Sequence, residues 1–171
     1  MNFDKVGLET MRHSTAHVMA AAVRRLWPDA LFDIGPDTEE GFYYDFDLPH
    51  RLTAEDFPAI EAEMAKIVAE DHPFTREEKS RAEVWELMSQ KGQKYMLERL
   101  ADIPEWESIS LYRSGDFTDL CRGPHLASTG EIRAFKLLSV AGAYFRGDEK
   151  NPMMQRLYGT AFGSQEERDA Y

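Results

Sequence analysis

The sequence predicts an α+β domain in which an antiparallel sheet packs against helices. Two observations favour this class: long segments with helical periodicity alternate with short aromatic and β-branched runs, and regular βαβ alternation is absent. With 171 residues, 43% of them hydrophobic, the chain can bury one core. We therefore expect residues 1–171 to form a single domain.

The N-terminal half starts with a predicted helix from about Leu8 to Trp27, where apolar residues form a broad stripe that Pro28 ends. Residues 30–35 and 41–47 indicate two strands joined through Gly-Pro-Asp-Thr, which favours a hairpin. A second helix is expected after Thr53, which is a plausible N-cap with Asp56 three residues on, and apolar residues at helical spacing continue it to Asp71.

The C-terminal half contains shorter segments. Helices are predicted at 81–91 and 95–100, on either side of Gly92. Short strands are predicted over five further ranges, 108–112, 117–120, 135–140, 143–145 and 156–162. The charged tail that follows can begin another helix.

Composition excludes several classes. No run approaches the roughly 18 uninterrupted apolar residues of a membrane helix, and Met1–Thr10 lacks the basic-then-apolar order of a signal peptide. A single cysteine, Cys121, cannot form an internal disulfide and fits a reducing compartment. We expect a soluble, cytoplasmic protein with no membrane partner.

Charge is distributed unevenly. The net charge of −11 argues against broad affinity for nucleic acid. Between Cys121 and Arg156, however, the sequence has six basic residues and only three acidic ones. The basic residues include Arg122, Lys136 and Arg146. This local surplus suits a guided contact with RNA, and a solvated face without a partner is the equally weighted alternative.

His13 and His17 lie four residues apart in the first predicted helix, so both imidazoles project from one face. Cys121-Arg-Gly-Pro-His125 supplies a thiol and a third imidazole around a tight bend. Together, His13, His17, Cys121 and His125 are competent as a tetrahedral zinc site and equally as a metal-free pocket that activates a water. A buried cysteine near unrelated histidines is the third interpretation, and we assign no metal.

Asp119 lies two residues before Cys121 and faces the same side if the strand continues that far, so it can orient a histidine or bind an amine. A solvent-facing aspartate is the simpler alternative. Tyr43 and Tyr44 point to opposite faces of their strand, so one can enter a pocket while the other packs.

Four segments together resemble the editing domain of bacterial threonyl-tRNA synthetases: Arg12-His-Ser-Thr-Ala-His17, Gly41-Phe-Tyr-Tyr-Asp45, Asp119-Leu-Cys-Arg-Gly-Pro-His125 and Leu157-Tyr-Gly-Thr-Ala161. The paired histidine and Cys-x-x-x-His signatures are shared with alanyl-tRNA synthetase editing domains. Cys-Arg-Gly-Pro-His and Gly142-Ala-Tyr-Phe-Arg-Gly-Asp148 favour the threonyl branch.

The resemblance implies a threonyl/alanyl-tRNA synthetase editing-domain fold and hydrolysis of serine from mischarged threonine tRNA. The implied catalytic residues are His13, His17, Asp119, Cys121 and His125. The implied substrate-binding residues are Tyr43, Tyr44, Arg122, Lys136 and Arg146. His13 is preferred for positioning or deprotonating the attacking water, with Asp119 on the substrate's ammonium group.

The sequence departs from the family at Met96. The family often carries a lysine directly after a tyrosine that corresponds to Tyr95, and Lys94 is a poor substitute because residues two apart on a helix are separated by about 200°.

The small domain that precedes the editing unit and the aminoacylation core that follows it are not in this sequence, so we expect an excised domain whose partner is the remainder of the synthetase.

Two alternatives remain open. One is a freestanding editor of another mischarged tRNA, such as alanine tRNA, with the same pocket groups and a different sieve. The other is a non-catalytic RNA-binding or zinc-stabilised module, which the Met96 departure favours.

Overall fold

The computed structural model describes residues 5–36, 38, 41–121 and 124–170. Within these ranges it contains five α-helices, α1 (Lys5–Leu26), α2 (Phe57–Glu70), α3 (Arg81–Gln90), α4 (Lys94–Asp102) and α5 (Gln165–Ala170). The strands are β1 (Leu31–Phe32), β2 (Phe42–Asp47), β3 (Thr75–Lys79), β4 (Ile109–Ser114), β5 (Phe117–Leu120), β6 (Ala134–Tyr144) and β7 (Met153–Phe162). The predicted α+β class is confirmed.

Helix α1 lies at the centre of the molecule. It packs against α2 and against β2 and β7, and its middle turns are buried on more than one side, with Val18, Met19 and Ala22 fully buried. Ser14 and Thr15 are buried too, and their hydroxyls donate to the backbone carbonyls four residues earlier. The helix therefore tolerates polar residues inside the core because their hydroxyls have partners.

Two antiparallel sheets flank this helix. The larger has the order β1-β2-β7-β6, and the smaller has the order β3-β4-β5. In the larger sheet Phe42 pairs with Gly159, and a Cβ on Gly41 would lie only 2.1 Å from the Gly159 carbonyl oxygen. Gly41 thus allows β2 to approach β7 closely at the point where the Phe-Tyr-Tyr-Asp segment begins.

Two capping boxes lie near the N-termini of helices: one caps the short 3-10 turn (Ala54–Asp56) that leads into α2, and the other caps α3. Thr53 and Asp56 form the first, immediately before α2, and Ser80 and Glu83 form the second at the start of α3. At the other end of α2, Asp71 has φ 52° and ends the helix in a left-handed conformation. The predicted second helix is confirmed, and its predicted N-cap, Thr53, caps the 3-10 turn that directly precedes it.

The strands differ from the predictions in three places. β1 has only two residues, although its pairing with β2 confirms the hairpin. Residues 134–144 form one strand rather than two, and pairing with β7 continues through Ala141 and Gly142, where the sequence pattern breaks. β3 was not predicted, because four of its five residues are charged.

One large cluster of buried apolar side chains joins the helices to both sheets. A small second cluster consists of Tyr95, Phe145 and Met154. In the described part of the chain, no helix combines the length and the hydropathy that crossing a bilayer requires.

Candidate active site

The two histidines of α1 occupy different environments although they lie one turn apart. His17 is 1% exposed, and His13, nearer the N-terminus, is only partly buried. Both line a cleft of about 130 Å³, together with Gly35, Tyr44, Asp119, Cys121 and His125 among others. The five residues predicted to be catalytic are therefore brought to one cleft.

His17 is held by hydrogen bonds at both ring nitrogens. Nδ1 lies 3.1 Å from Asp119 Oδ1, and Nε2 lies 2.8 Å from Ser114 Oγ. A neutral ring satisfies both contacts when Nδ1–H donates to the carboxylate and Nε2 accepts from the serine hydroxyl. His17 is therefore fixed in orientation by β4 and β5.

Asp119 is ionised despite its burial. Burial is the largest single influence and raises the pKa of this carboxyl, but the charge interaction and hydrogen bond with His17, together with smaller effects from His125 and Tyr44, lower the pKa below its usual value. Tyr44 donates to Asp119 Oδ2 at 3.4 Å. The pKa of the Tyr44 phenol is raised well above 10 by burial and then by the nearby carboxylate, so it remains a donor.

His125 lies between aromatic rings. Its ring stacks on Tyr112 with centroids 4.0 Å apart, meets Phe74 edge-on at 5.1 Å, and lies 6.2 Å from the His13 ring. Burial lowers the pKa of His125 to about 3, against an opposing effect of Asp119. His125 is therefore neutral at physiological pH, and its buried Nδ1 has no hydrogen-bond partner among the described residues.

Cys121 follows the end of β5 and continues its pairing, because its backbone nitrogen donates to the Ser110 carbonyl at 3.4 Å and its own carbonyl accepts from Ser110 Oγ. Its side chain is partly buried in the cleft wall. Asp119 and Cys121 both line the cleft, as expected for alternate residues on one side of a strand.

Three groups are close enough to share a cation. Ligand atoms of His17, Asp119 and His125 all lie within 4.8 Å of one another. This set differs from the predicted zinc ligands, because Asp119 replaces His13 and Cys121. An ion at this position would have to displace Ser114 or Asp119 from His17, since both imidazole nitrogens already have partners.

The predicted substrate-binding residues are dispersed. Tyr44 lines the cleft, but Tyr43 lies on the opposite face of β2, 4.1 Å from the Arg156 guanidinium. Lys136 is half-buried opposite Thr160, on the larger sheet, and does not line the cleft. Arg146 forms ion pairs with Glu98 and Asp102 of α4. Arg122 lies outside the described residues.

Several site residues were not identified from the sequence. Ser114 and Tyr112 lie two residues apart on β4, so they face the same side, where one contacts His17 and the other His125. Strand alternation is the signal that could have found them. Gly35 forms part of the cleft wall, and a Cβ there would lie 2.2 Å from the Tyr44 ring.

The position of the missing lysine is apolar. Met96 is 1% exposed and belongs to the large core cluster. Tyr95 is directed elsewhere, donating to Asp47 Oδ2 at 2.6 Å and packing against Phe145. Position 96 therefore contributes no charge to the cleft.

Residues 109–158 match the family described as the Threonyl and Alanyl tRNA synthetase second additional domain. Over 168 residues, 98% of this chain, the sequence is 55% identical to the threonine–tRNA ligase of Clostridioides difficile (strain 630). It is 54% identical over 164 residues to that of Geobacillus kaustophilus (strain HTA426) and 53% identical over 168 residues to that of Bordetella pertussis. The chain spans about a quarter of each relative's length, 26%, 25% and 26%.

Fold and cleft, taken with these matches, define a class: α+β domains of the kind that aminoacyl-tRNA synthetases carry. Within that class the chain is similar to the second additional domain, the editing domain, of threonyl-tRNA synthetases. The resemblance found in the sequence motifs is thereby confirmed.

Proposed function

We propose that this chain hydrolyses the ester that links serine to the terminal ribose of threonine tRNA. The observation that carries the proposal is the convergence of three imidazoles, a carboxylate and a thiol on one small cleft. The matched threonine–tRNA ligases support a role in tRNA editing. The substrate is the threonine tRNA that a complete synthetase has mischarged, and the remainder of such a synthetase is the partner.

His13 is proposed to position or deprotonate the attacking water. His17 has partners at both ring nitrogens, and the pKa of His125 is too low, at about 3, for effective general-base catalysis near neutral pH. The remaining candidate for the base is therefore His13, the α1 histidine at the less buried end of the cleft. An oriented water is sufficient because the ester is already reactive, so Cys121 need not form an acyl-enzyme.

Asp119 is proposed to hold the substrate's ammonium group. The carboxylate lines the cleft and is ionised. Its two oxygens offer about four acceptor positions, of which His17 and Tyr44 use two. An amine at a remaining position would fix the amino acid and direct its ester toward His13.

Selection against threonine is proposed to be steric. A methyl difference supplies only about 1–3 kcal/mol, or roughly 10 to 200-fold, in a single binding step, so a second pocket is needed to remove serine errors. The Tyr44 wall is rigid because the Tyr44 ring stacks on Phe46 at 5.3 Å, packs edge-on against Phe32, and lies so close to Gly35 that a Cβ there would be 2.2 Å from the ring. A close-packed wall does not yield to an extra methyl group.

The test is a comparison of threonine tRNA charged with serine and with threonine. The purified chain should release serine and leave threonine, and His13→Ala should lower the serine rate by about 100-fold or more, as loss of a general base does. His50→Ala is the matched control, because His50 is an exposed histidine that contacts Asp56 and Trp27 and does not line the cleft.

Other results of this hydrolysis assay would indicate a different function. Cleavage of alanine esters in preference to serine esters would identify an editor of another mischarged tRNA. Absence of cleavage by folded protein would overturn the hydrolase proposal and favour the non-catalytic RNA-binding alternative. Metal analysis of the same sample tests zinc, which the residues around His17 could hold only by exchanging its present hydrogen bonds.

A further inference from the structure

Residues 34–36 form a part of the cleft wall that has open space beside it. All three line the cleft. A second cleft, of about 350 Å³, adjoins the first, and Ile34 lines both. Close packing is what normally prevents a segment of backbone from moving. A wall beside open space therefore depends on its hydrogen bonds for its position.

On the side of β2, this wall makes long hydrogen bonds. The Pro36 carbonyl accepts from the Tyr43 backbone nitrogen at 3.3 Å, and the Ile34 carbonyl accepts from that of Asp45 at 3.4 Å. Both exceed the roughly 2.7–3.2 Å that is usual for N–H···O hydrogen bonds. A firmer contact lies one residue earlier, where the Asp33 nitrogen donates to the Asp45 carbonyl at 3.0 Å. The position of the wall therefore depends on how residue 33 is held.

The side chain of Asp33 is held by Arg99 of α4. Arg99 Nε and Nη2 donate to the two carboxylate oxygens at 2.7 Å and 2.8 Å. The Asp33 side chain is 2% exposed, and the Arg99 side chain is 27% exposed. Two parallel hydrogen bonds between planar groups fix an angle as well as a distance. Asp33 is thus fixed relative to α4 directly before the wall begins.

Helix α4 has further contacts with the same region, so it does not depend on Arg99 for its own position. Gln93, its N-cap residue, accepts from the Phe32 backbone nitrogen at 3.0 Å and donates to the Ala30 carbonyl at 3.5 Å. Tyr95 donates to Asp47 at the end of β2. The Gln93 side chain thus satisfies backbone groups of β1, the edge strand of the larger sheet.

We propose that Arg99 is a positioning residue that keeps residues 34–36 close to the bound amino acid and thereby excludes the additional methyl group of threonine. This inference rests on the proposed function, since the wall selects between the two esters only if they enter the cleft. Arg99 is not among the described residues that line the cleft, so it acts through Asp33 and not through contact with the amino acid.

The first experiment measures hydrolysis of seryl- and threonyl-tRNA by Asp33→Asn/Arg99→Gln. The double substitution avoids leaving a buried carboxylate without its partner. Withdrawal of the wall should admit the methyl group and accelerate threonine hydrolysis. The ratio of serine to threonine kcat/KM should fall about tenfold, the lower end of what one methyl group supplies, with the serine value changed less than about threefold. Loss of folded protein cannot produce a gain of threonine hydrolysis.

Asp45→Asn/Arg156→Gln is the matched control. Arg156 donates to both Asp45 oxygens, at 2.8 Å and 3.0 Å, and the two side chains are 28% and 5% exposed. This pair joins β2 to β7, which backbone pairing already connects. Its loss should therefore leave the serine-to-threonine ratio unchanged. Arg99→Lys, which keeps the charge but not the two parallel hydrogen bonds, should lower the ratio by a smaller factor.

The second experiment needs no substrate and follows amide exchange at Tyr43, whose N–H donates to the Pro36 carbonyl. Exchange should be about tenfold faster in Asp33→Asn/Arg99→Gln and unchanged in the control. An unchanged ratio in both Arg99 variants, a parallel fall of both hydrolysis rates, or an equal shift in the control would overturn the proposal. Absence of hydrolysis by the intact chain would instead overturn the proposed function, and unchanged exchange at Tyr43 would then overturn the positioning role by itself.

Discussion

At the scale of single residues, three imidazoles of one cleft differ in what surrounds them. His17 is fixed by Asp119 and Ser114, His125 is stacked on Tyr112 in a setting that keeps it neutral, and His13 lies at the less buried end. Burial and hydrogen bonding, rather than residue type, separate an orienting histidine from a candidate base.

Neutral His125 predicts a dependence of stability on pH. Its pKa falls from 6.5 to about 3 on folding, so the unfolded chain binds the proton first as the pH falls. Its contribution is fully present above pH 6.5 and is lost progressively between 6.5 and about 3, at up to about 1.4 kcal/mol per pH unit. Between pH 7 and pH 5, urea unfolding of the unmodified chain should lose about 2 kcal/mol more than that of His125→Gln. Equal losses would show that His125 is not held neutral.

Ser114→Ala tests the fixed orientation of His17. The substitution removes the hydroxyl 2.8 Å from Nε2 and leaves a buried ring nitrogen without that partner, so the free energy of unfolding should fall by about 2 kcal/mol. Ser139→Ala, at an exposed position on β6, should change it by less than about 0.5 kcal/mol. Equal effects of the two substitutions would argue that the hydrogen bond contributes nothing.

The sequence motifs were sufficient to predict that one cleft contains the side chains of His13, His17, Asp119, Cys121 and His125. This is because helical spacing and strand alternation decide where such side chains point. They could not specify the partner of each nitrogen. That depends on β4 crossing beside α1, a long-range contact without a local pattern, and the same holds for Arg99, whose partner Asp33 is 66 residues away.

At the scale of secondary-structure elements, the loop after β1 and the strand β2 form one wall of the cleft. Gly35 in that loop contacts the Tyr44 ring so closely that a Cβ would lie 2.2 Å from Cδ2. The predicted hairpin captured the pairing of these strands but not this contact. Helix α4 was also predicted, but its contribution of Arg99 to a second cleft depends on how it packs.

Gly35→Ala should displace the Tyr44 ring, because the new methyl and the ring cannot occupy the same space. We expect a loss of about 1–3 kcal/mol in the free energy of unfolding, measured by thermal denaturation, and a lower ratio of serine to threonine hydrolysis. Gly35→Ala/Tyr44→Leu should recover part of the stability, since the shorter side chain gives the methyl room. Unchanged stability and selectivity in Gly35→Ala would contradict a rigid wall.

At the scale of the whole molecule, one buried cluster connects elements from both sheets and the helices, including Met19 of α1, Ile60 of α2, Phe42 of β2 and Leu111 of β4. Because α1 lies between these elements and carries His13 and His17, the cleft exists only when the two sheets are docked. The sequence predicted one core from length and composition, but the division into two sheets follows from long-range pairing and could not be predicted locally.

A shared core predicts a single cooperative unfolding transition. Trp27 packs against the large cluster, whereas Trp85 and Trp106 are exposed. In a Trp85→Phe/Trp106→Phe variant, the fluorescence of Trp27 and the far-ultraviolet circular dichroism should therefore change at the same urea concentration. Separate midpoints would indicate that the sheets unfold independently.

The charged strand β3 has a consequence for how copies of this chain behave beside one another. It lies at the edge of the smaller sheet, and Arg76, Glu77, Glu78 and Lys79 occupy four of its five positions. A neighbouring strand that added to this edge would force those charges out of water. Where many copies of this chain meet, this edge should thus resist the sheet-to-sheet association through which exposed strands begin to aggregate.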